Sequence, residues 1–127
     1  MLTNVAIRLR GHGSFRSLDD KPNLVVKFDE FASRQTYRGL TNLMFHNATP
    51  AATWLAEFVA RQLFRDAGLA SARVTHARVR LNGRDLGIYV VIEAITKEFL
   101  KQHFGNGQGN LYEANLTDID VPLEQDN

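Results

Sequence analysis

The chain contains no cysteine, which excludes disulfides and thiolate-held zinc or iron–sulfur centres. No apolar run approaches the ~20 residues that a bilayer-crossing helix needs, and Arg8 and Arg10 interrupt any signal-peptide core near the start. Proline is scarce, with 3 in 127 residues, while 44% of the residues are hydrophobic, so a folded chain is expected and disorder is not. An excess of one charge is also missing. Fifteen Lys and Arg against 14 Asp and Glu leave +1, no general footprint for nucleic acid or an anionic membrane. No internal repeat is visible. The length suits one compact domain.

The charge that is present is unevenly spread. Eleven of the 15 bases are Arg, the side chain suited to bidentate contact with phosphate or carboxylate. Val5, Ile7 and Leu9 alternate with Ala6, Arg8 and Arg10, the period of a strand with one polar face. Gly11-His12-Gly13-Ser14 follows as a turn. Leu24 to Phe28 reads as a second strand, with Val25 and Lys27 on one face and Leu24, Val26 and Phe28 on the other.

Thr49-Pro50 marks a helix start, and Leu55, Phe58, Val59 and Leu63 recur at helical spacing up to Gly68, predicting a helix over 50–67 that packs on a sheet. Asn82-Gly83 between two β-rich runs is a strong hairpin signal. A two-residue turn there pairs Leu81 with Arg84. Continued without interruption, that register sets Arg80 against Asp85, Val79 against Leu86, Arg78 against Gly87, Ala77 against Ile88, His76 against Tyr89 and Thr75 against Val90. Thr96 to Phe104 reads as a short helix, Asn110-Leu111-Tyr112 as a brief strand, and the acidic stretch from Thr117 as a frayed tail or the start of further sequence. The order β-loop-β-α-β-β-α predicts an α+β fold, an antiparallel sheet of four or more strands with a packed helix.

Three groups carry candidate chemistry. The turn Arg10-Gly11-His12-Gly13-Ser14 offers backbone N–H groups to an anion, with Arg8 and Arg10 adding charge; the plain alternative is a hairpin turn beside solvated Arg. Lys27 stands inside an apolar strand and needs either solvent or an anion; the plain alternative is an edge lysine. Glu57 lies four residues before Arg61 and has two readings, a surface pair with Arg61 or a partner for Lys27, as a helix Glu braces a strand Lys in protein kinases. The second reading predicts a Lys27–Glu57 ion pair, with Lys27 on the face that carries Arg8. The four histidines show no metal-ligand spacing, and no G-x-S-x-G elbow is present.

From Val5 to Tyr112 the chain resembles the CotH (spore coat protein H-like) atypical kinase family. The matching segments are Ala6-Ile7-Arg8-Leu9-Arg10-Gly11, Lys21-Pro22 leading to Val26-Lys27-Phe28-Asp29, Leu63-Phe64-Arg65-Asp66-Ala67-Gly68, Val79-Arg80-Leu81-Asn82-Gly83, Leu86 to Glu93, Phe99-Leu100-Lys101 and Gly109-Asn110-Leu111-Tyr112. Their order and spacing together carry the resemblance. It implies a divergent protein-kinase N-lobe over 1–112, with 113–127 an acidic tail or the start of a further lobe. It implies ATP and Mg2+ or Mn2+ as cofactors and a protein substrate, such as a spore-coat or cell-surface protein. By the same resemblance Arg8, Arg10, Gly11, Gly13 and Ser14 would cover the phosphates, Lys27 would hold them, Glu57 would brace Lys27, and Glu93 would lie on the adenine-side hinge. The family's catalytic and metal-binding acids lie beyond Tyr112, so this chain alone is not expected to turn over ATP. The alternatives are a non-catalytic surface module of the same fold and a small domain that binds an anion through Arg8, Arg10 and Lys27.

Overall fold

A computed structural model of the chain describes residues 1–11, 15–48, 54–113 and 124–126. Among the sequence-based expectations, the turn residues His12, Gly13 and Ser14, the helix start Thr49-Pro50, and Asp118 and Asp120 of the tail lie outside the described residues. The chain divides into two compact units, Met1–Thr96 and Lys97–Asn127.

The first unit is an α+β domain built on one antiparallel five-stranded sheet. Its strands are β1 (Ala6–Arg10), β2 (Asn23–Lys27), β3 (Asn42–His46), β4 (Val74–Leu81) and β5 (Arg84–Glu93), in the spatial order β1-β2-β3-β5-β4. The inner strand β5 is the most apolar and the most covered. Tyr89, Val90, Val91 and Ile92 are all buried, with Leu24, Val25 and Phe28 of the β2 segment completing the core. β3 was not expected from the sequence. Its Leu43-Met44-Phe45 run is too short to show a period, and Asn42 and His46 at its ends are poor strand formers.

The β4–β5 turn forms as its sequence predicts. Asn82 (φ 51°) and Gly83 (φ 78°) both take the left-handed conformation of a type I′ turn, and Leu81 pairs with Arg84 and Arg80 with Asp85. Beyond that the expected register is wrong by one residue. Val79 pairs with Gly87, Arg78 with Ile88, Ala77 with Tyr89, His76 with Val90 and Thr75 with Val91. The cause is a bulge. Gly87 sits at φ 75°, and its N–H donates to Asp85 Oδ1 at 3.0 Å, which admits one extra residue into β5.

Helix α1 (Leu55–Asp66) ends in a Schellman arrangement around Gly68 (φ 79°). The Gly68 N–H donates to Arg65 O and the Leu69 N–H to Phe64 O, each at 2.9 Å. The helix lies against β4, where the Phe58 and His76 rings are 5.9 Å apart. The expected burial of its apolar stripe is not found. No residue of α1 is buried, and Leu55, Val59 and Leu63 are 61%, 59% and 64% exposed. A periodic stripe says that one face is apolar; it does not say which surface covers it.

In the second unit, α2 (Lys97–Phe104) is followed by β6 (Leu111–Glu113) and β7 (Glu124–Asp126), which pair antiparallel. Residues 124–126, within the acidic stretch read as a frayed tail or the start of further sequence, form a strand. The Phe99 and His103 rings, one turn apart within α2, meet at a tilt of 44° with centroids at 4.3 Å.

Candidate functional site

Directly paired residues of an antiparallel ladder project to the same side, so the register assigns every side chain to a face. Ala6 pairs with Lys27, Arg8 with Val25 and Arg10 with Asn23. Arg8, Arg10 and Lys27 therefore share one face, the side on which Lys27 was expected. Val25 pairs with Met44, which pairs with Ile92, which pairs with Val74. The same face thus runs across Met44, Val90 and Ile92 to His76, against which α1 rests. Arg10 lies over Met44, with a guanidinium N–H directed at its sulfur. Among the described residues neither Arg8 nor Arg10 has a carboxylate within ion-pair distance.

Along this face the three cations are not clustered. Arg10 stands where β1 leads into the Gly11 turn, and Gly11 itself has φ 135°, a conformation open mainly to glycine. Lys27 is opposite Ala6, at the other end of the strand pair. Four residues separate the two levels, about 13 Å at ~3.3 Å per residue. The Lys27 end is rich in acceptors. Its Nζ is 2.7 Å from Glu30 Oε2, and the hydrogen bond and charge of Glu30 hold the ammonium above its ordinary range, with Arg8 pulling the other way. Asn42, the cross-strand partner of Lys27, and Asp29 each carry a buried Oδ1 without a hydrogen-bond partner among the described residues.

The expected Lys27–Glu57 pair is not formed. Glu57 Oε1 instead receives Arg61 Nε at 2.6 Å, the plainer of the two readings of that helix. Topology explains why. Once β3 is placed, Lys27 is on the second strand while α1 lies on β4, three strand intervals away, or about 14 Å. In the protein-kinase arrangement the gripping lysine is on the third strand, just before the helix. In this chain the strand that precedes α1, β3, reads Asn-Leu-Met-Phe-His and has no lysine.

Glu93 is placed on the opposite face. It pairs with Leu43, on the side of Val26 and Ile7, away from Lys27. Glu93 is 3% exposed, and its carboxylate is gripped at both oxygens by Arg73, with Nε at 3.0 Å from Oε2 and Nη2 at 3.0 Å from Oε1. The Arg73 backbone N–H adds a bond at 3.1 Å. This clamp borders a cavity of ≈ 590 Å³ lined by Phe28, Tyr37, Leu43, Phe45 and Val91. The cavity therefore lies behind the cationic face and not on it.

Lys21 falls in one of the segments that resemble the CotH family and has no role assigned from the sequence. It stands at the turn end of the sheet, two residues before the partner of Arg10. Its Nζ donates to Ile88 O at 2.9 Å, 5.0 Å from the Tyr89 ring centroid and 5.9 Å from that of Trp54. Trp54 O is 2.8 Å from His76 Nε2, which ties the head of α1 to β4. The signal available in advance was Lys21-Pro22 just ahead of an apolar strand, but its aromatic partners are 33 and 68 residues away.

Among the described residues no group of three or more His, Cys, Asp or Glu could hold a metal ion, and no helix is long and apolar enough to cross a membrane. The model of one protein family, described as CotH kinase protein, matches residues 7–127. No curated protein matches the chain.

Proposed function

Since the chain belongs to the CotH kinase family, we propose that the sheet of its first unit is the ATP-binding part of a kinase that phosphorylates Ser or Thr of a protein substrate, such as a spore-coat or surface protein. The observation that carries this reading is the shared face of Arg8 and Arg10, whose side chains both lack a carboxylate among the described residues. Cations held side by side without counter-charge repel one another, and an oligophosphate relieves that repulsion. Gly11 leaves the backbone beside Arg10 open to close approach by phosphate oxygens. The adenine side is assigned to the strand end at Glu93 by the family resemblance; the Glu93 carboxylate and backbone N–H are both engaged by Arg73.

The described residues fit the phosphates and do not fit a divalent metal, since no set of acidic ligands is brought together. No residue of this chain is assigned to the metal or to activation of the acceptor hydroxyl. The test is calorimetric titration of the 127-residue chain with ATP and with tripolyphosphate. Wild type is expected to bind both, and Arg8→Ala/Arg10→Ala to bind both at least about tenfold more weakly, the loss of one to two charge-assisted contacts. Absence of binding by wild type removes the nucleotide reading and leaves an interaction module of the same fold. Metal-dependent ATP hydrolysis by the chain alone would show that it contains catalytic acids not recognised here.

A further inference from the structure

We propose that Lys21, and not Lys27, is the lysine that holds the phosphate chain of the bound nucleoside polyphosphate. This rests on the reading of the cationic face as a nucleotide site, and it departs from the assignment that the family resemblance carries to Lys27.

Position comes first. The β1–β2 connection, with Gly11 at its start and Lys21 near its end, leaves and re-enters the sheet at the level of Arg10 and Asn23. The Lys21 backbone is thus level with Arg10, and its side chain reaches across that end of the sheet to Ile88 O on β5. Lys27 is at the opposite end, beside Asp29, Glu30 and the orphaned Asn42 oxygen, a set of acceptors that disfavours an anion.

Charge points the same way. Lys27 already has a carboxylate partner in Glu30. Lys21 has none among the described residues; its contacts are one carbonyl and two aromatic faces. Aromatic faces stabilise an ammonium without neutralising it. A Lys ammonium has three N–H donors, and Ile88 O takes one, which leaves two for phosphate oxygens.

The Lys21 backbone is also fixed before any ligand arrives. Asn47 Nδ2 donates to Lys21 O at 2.7 Å, and the buried Tyr89 hydroxyl donates to Pro22 O at 2.8 Å. Arg84 donates to the carbonyls of Leu18 and Asp20 at 2.5 and 2.7 Å, and to that of Asp19. A cation held in this way loses little freedom on binding.

The geometry supplies its own reporter. Trp54 is the sole tryptophan of the chain, and its ring is 5.9 Å from Lys21 Nζ. Titration of the 127-residue chain with ATP or tripolyphosphate is expected to change Trp54 emission saturably. Lys21→Met should weaken binding of both at least about tenfold, Lys21→Arg should restore most of it, and Lys27→Met should stay within about twofold of wild type. Adenosine, which has no phosphate, should respond equally in all four proteins, a pattern that general loss of structure does not give. Should Lys21→Met fail to fold, side-chain NMR of the wild-type chain decides, since it has only four lysines; tripolyphosphate should shift the Lys21 Nζ resonance more than that of Lys27. Wild-type binding with an unchanged Lys21→Met affinity, or a larger shift at Lys27, overturns the assignment of Lys21 alone. No binding by wild type overturns the nucleotide reading, and this assignment with it.

Discussion

Replacing Arg73 by Ala should be among the most damaging single changes in the first unit, although Arg73 is half exposed. The cost arises at Glu93. That residue is 3% exposed, and its carboxylate takes two guanidinium bonds at 3.0 Å from Arg73. Removing one member of a fully buried ion pair costs ~3–5 kcal/mol, because the remaining charge stays desolvated. Two features reduce that figure here. The Arg73 side chain is 49% exposed, so water can enter the space it vacates, and the Arg73 backbone N–H keeps its bond to Glu93 Oε2. A loss of about 2 kcal/mol remains. For a unit of this size that lowers Tm by roughly 10 °C. Urea unfolding followed by circular dichroism measures it, with Glu93→Gln and the double variant completing a cycle. Glu93→Gln removes the buried charge and leaves Arg73 to solvent, so the pair should cost less together than the singles summed, by about 1 kcal/mol or more. An Arg73→Ala protein within ~0.5 kcal/mol of wild type, or singles that simply add, would refute the reasoning.

Asp85 gives a pH signature. The hydrogen bonds from Arg78 and then from the Gly87 N–H hold its carboxyl at about 2, below the ordinary 3.8. Its stabilising contribution is therefore complete above the ordinary value and lost as pH falls from there through about 2; Asp85→Asn should flatten the acid limb of a Tm–pH profile in that window. Gly87→Ala should cost about 1 kcal/mol, read as a Tm shift, because the strain comes from φ 75° alone and nothing lies within 4 Å of an added Cβ; Gly87→Asn should cost less, since Asn tolerates that conformation better. Lys27→Met should leave the urea midpoint unchanged, since the Lys27–Glu30 pair is solvent-exposed on both sides.

Much of the fold was legible where a local rule acts alone. Asn82-Gly83 demands positive φ at two successive residues and gets it. Gly68 ends α1, and the short helix near 96–104 is present as Lys97–Phe104. What was not legible depended on partners distant in sequence. The bulge at Gly87 needs the Asp85 side chain to take its N–H, and it moved every later pair of the hairpin by one. β3 carries little strand signal of its own; it exists because the β2 and β5 edges on either side of it need a donor and acceptor row between them.

The missing strand is also why a Lys27–Glu57 pair was expected. A period of two puts Arg8 with Arg10 and Val25 with Lys27, and the register of β1 on β2 then sets all three cations on one side. Distance along and across the sheet could not be read from that period. With β3 omitted, Lys27 is on the strand that precedes the helix, and Glu57 is its natural partner. With β3 inserted, the helix moves to the far edge of the sheet, and each of the two charges finds a partner within four residues: Glu30 for Lys27, Arg61 for Glu57. Near neighbours in sequence are the cheapest partners in conformational entropy. A lysine whose carboxylate is three residues away is therefore poor evidence for a ligand. One held by a carbonyl and two aromatic rings drawn from distant parts of the chain, with no carboxylate among the described residues, is better evidence, and Lys21 meets that description.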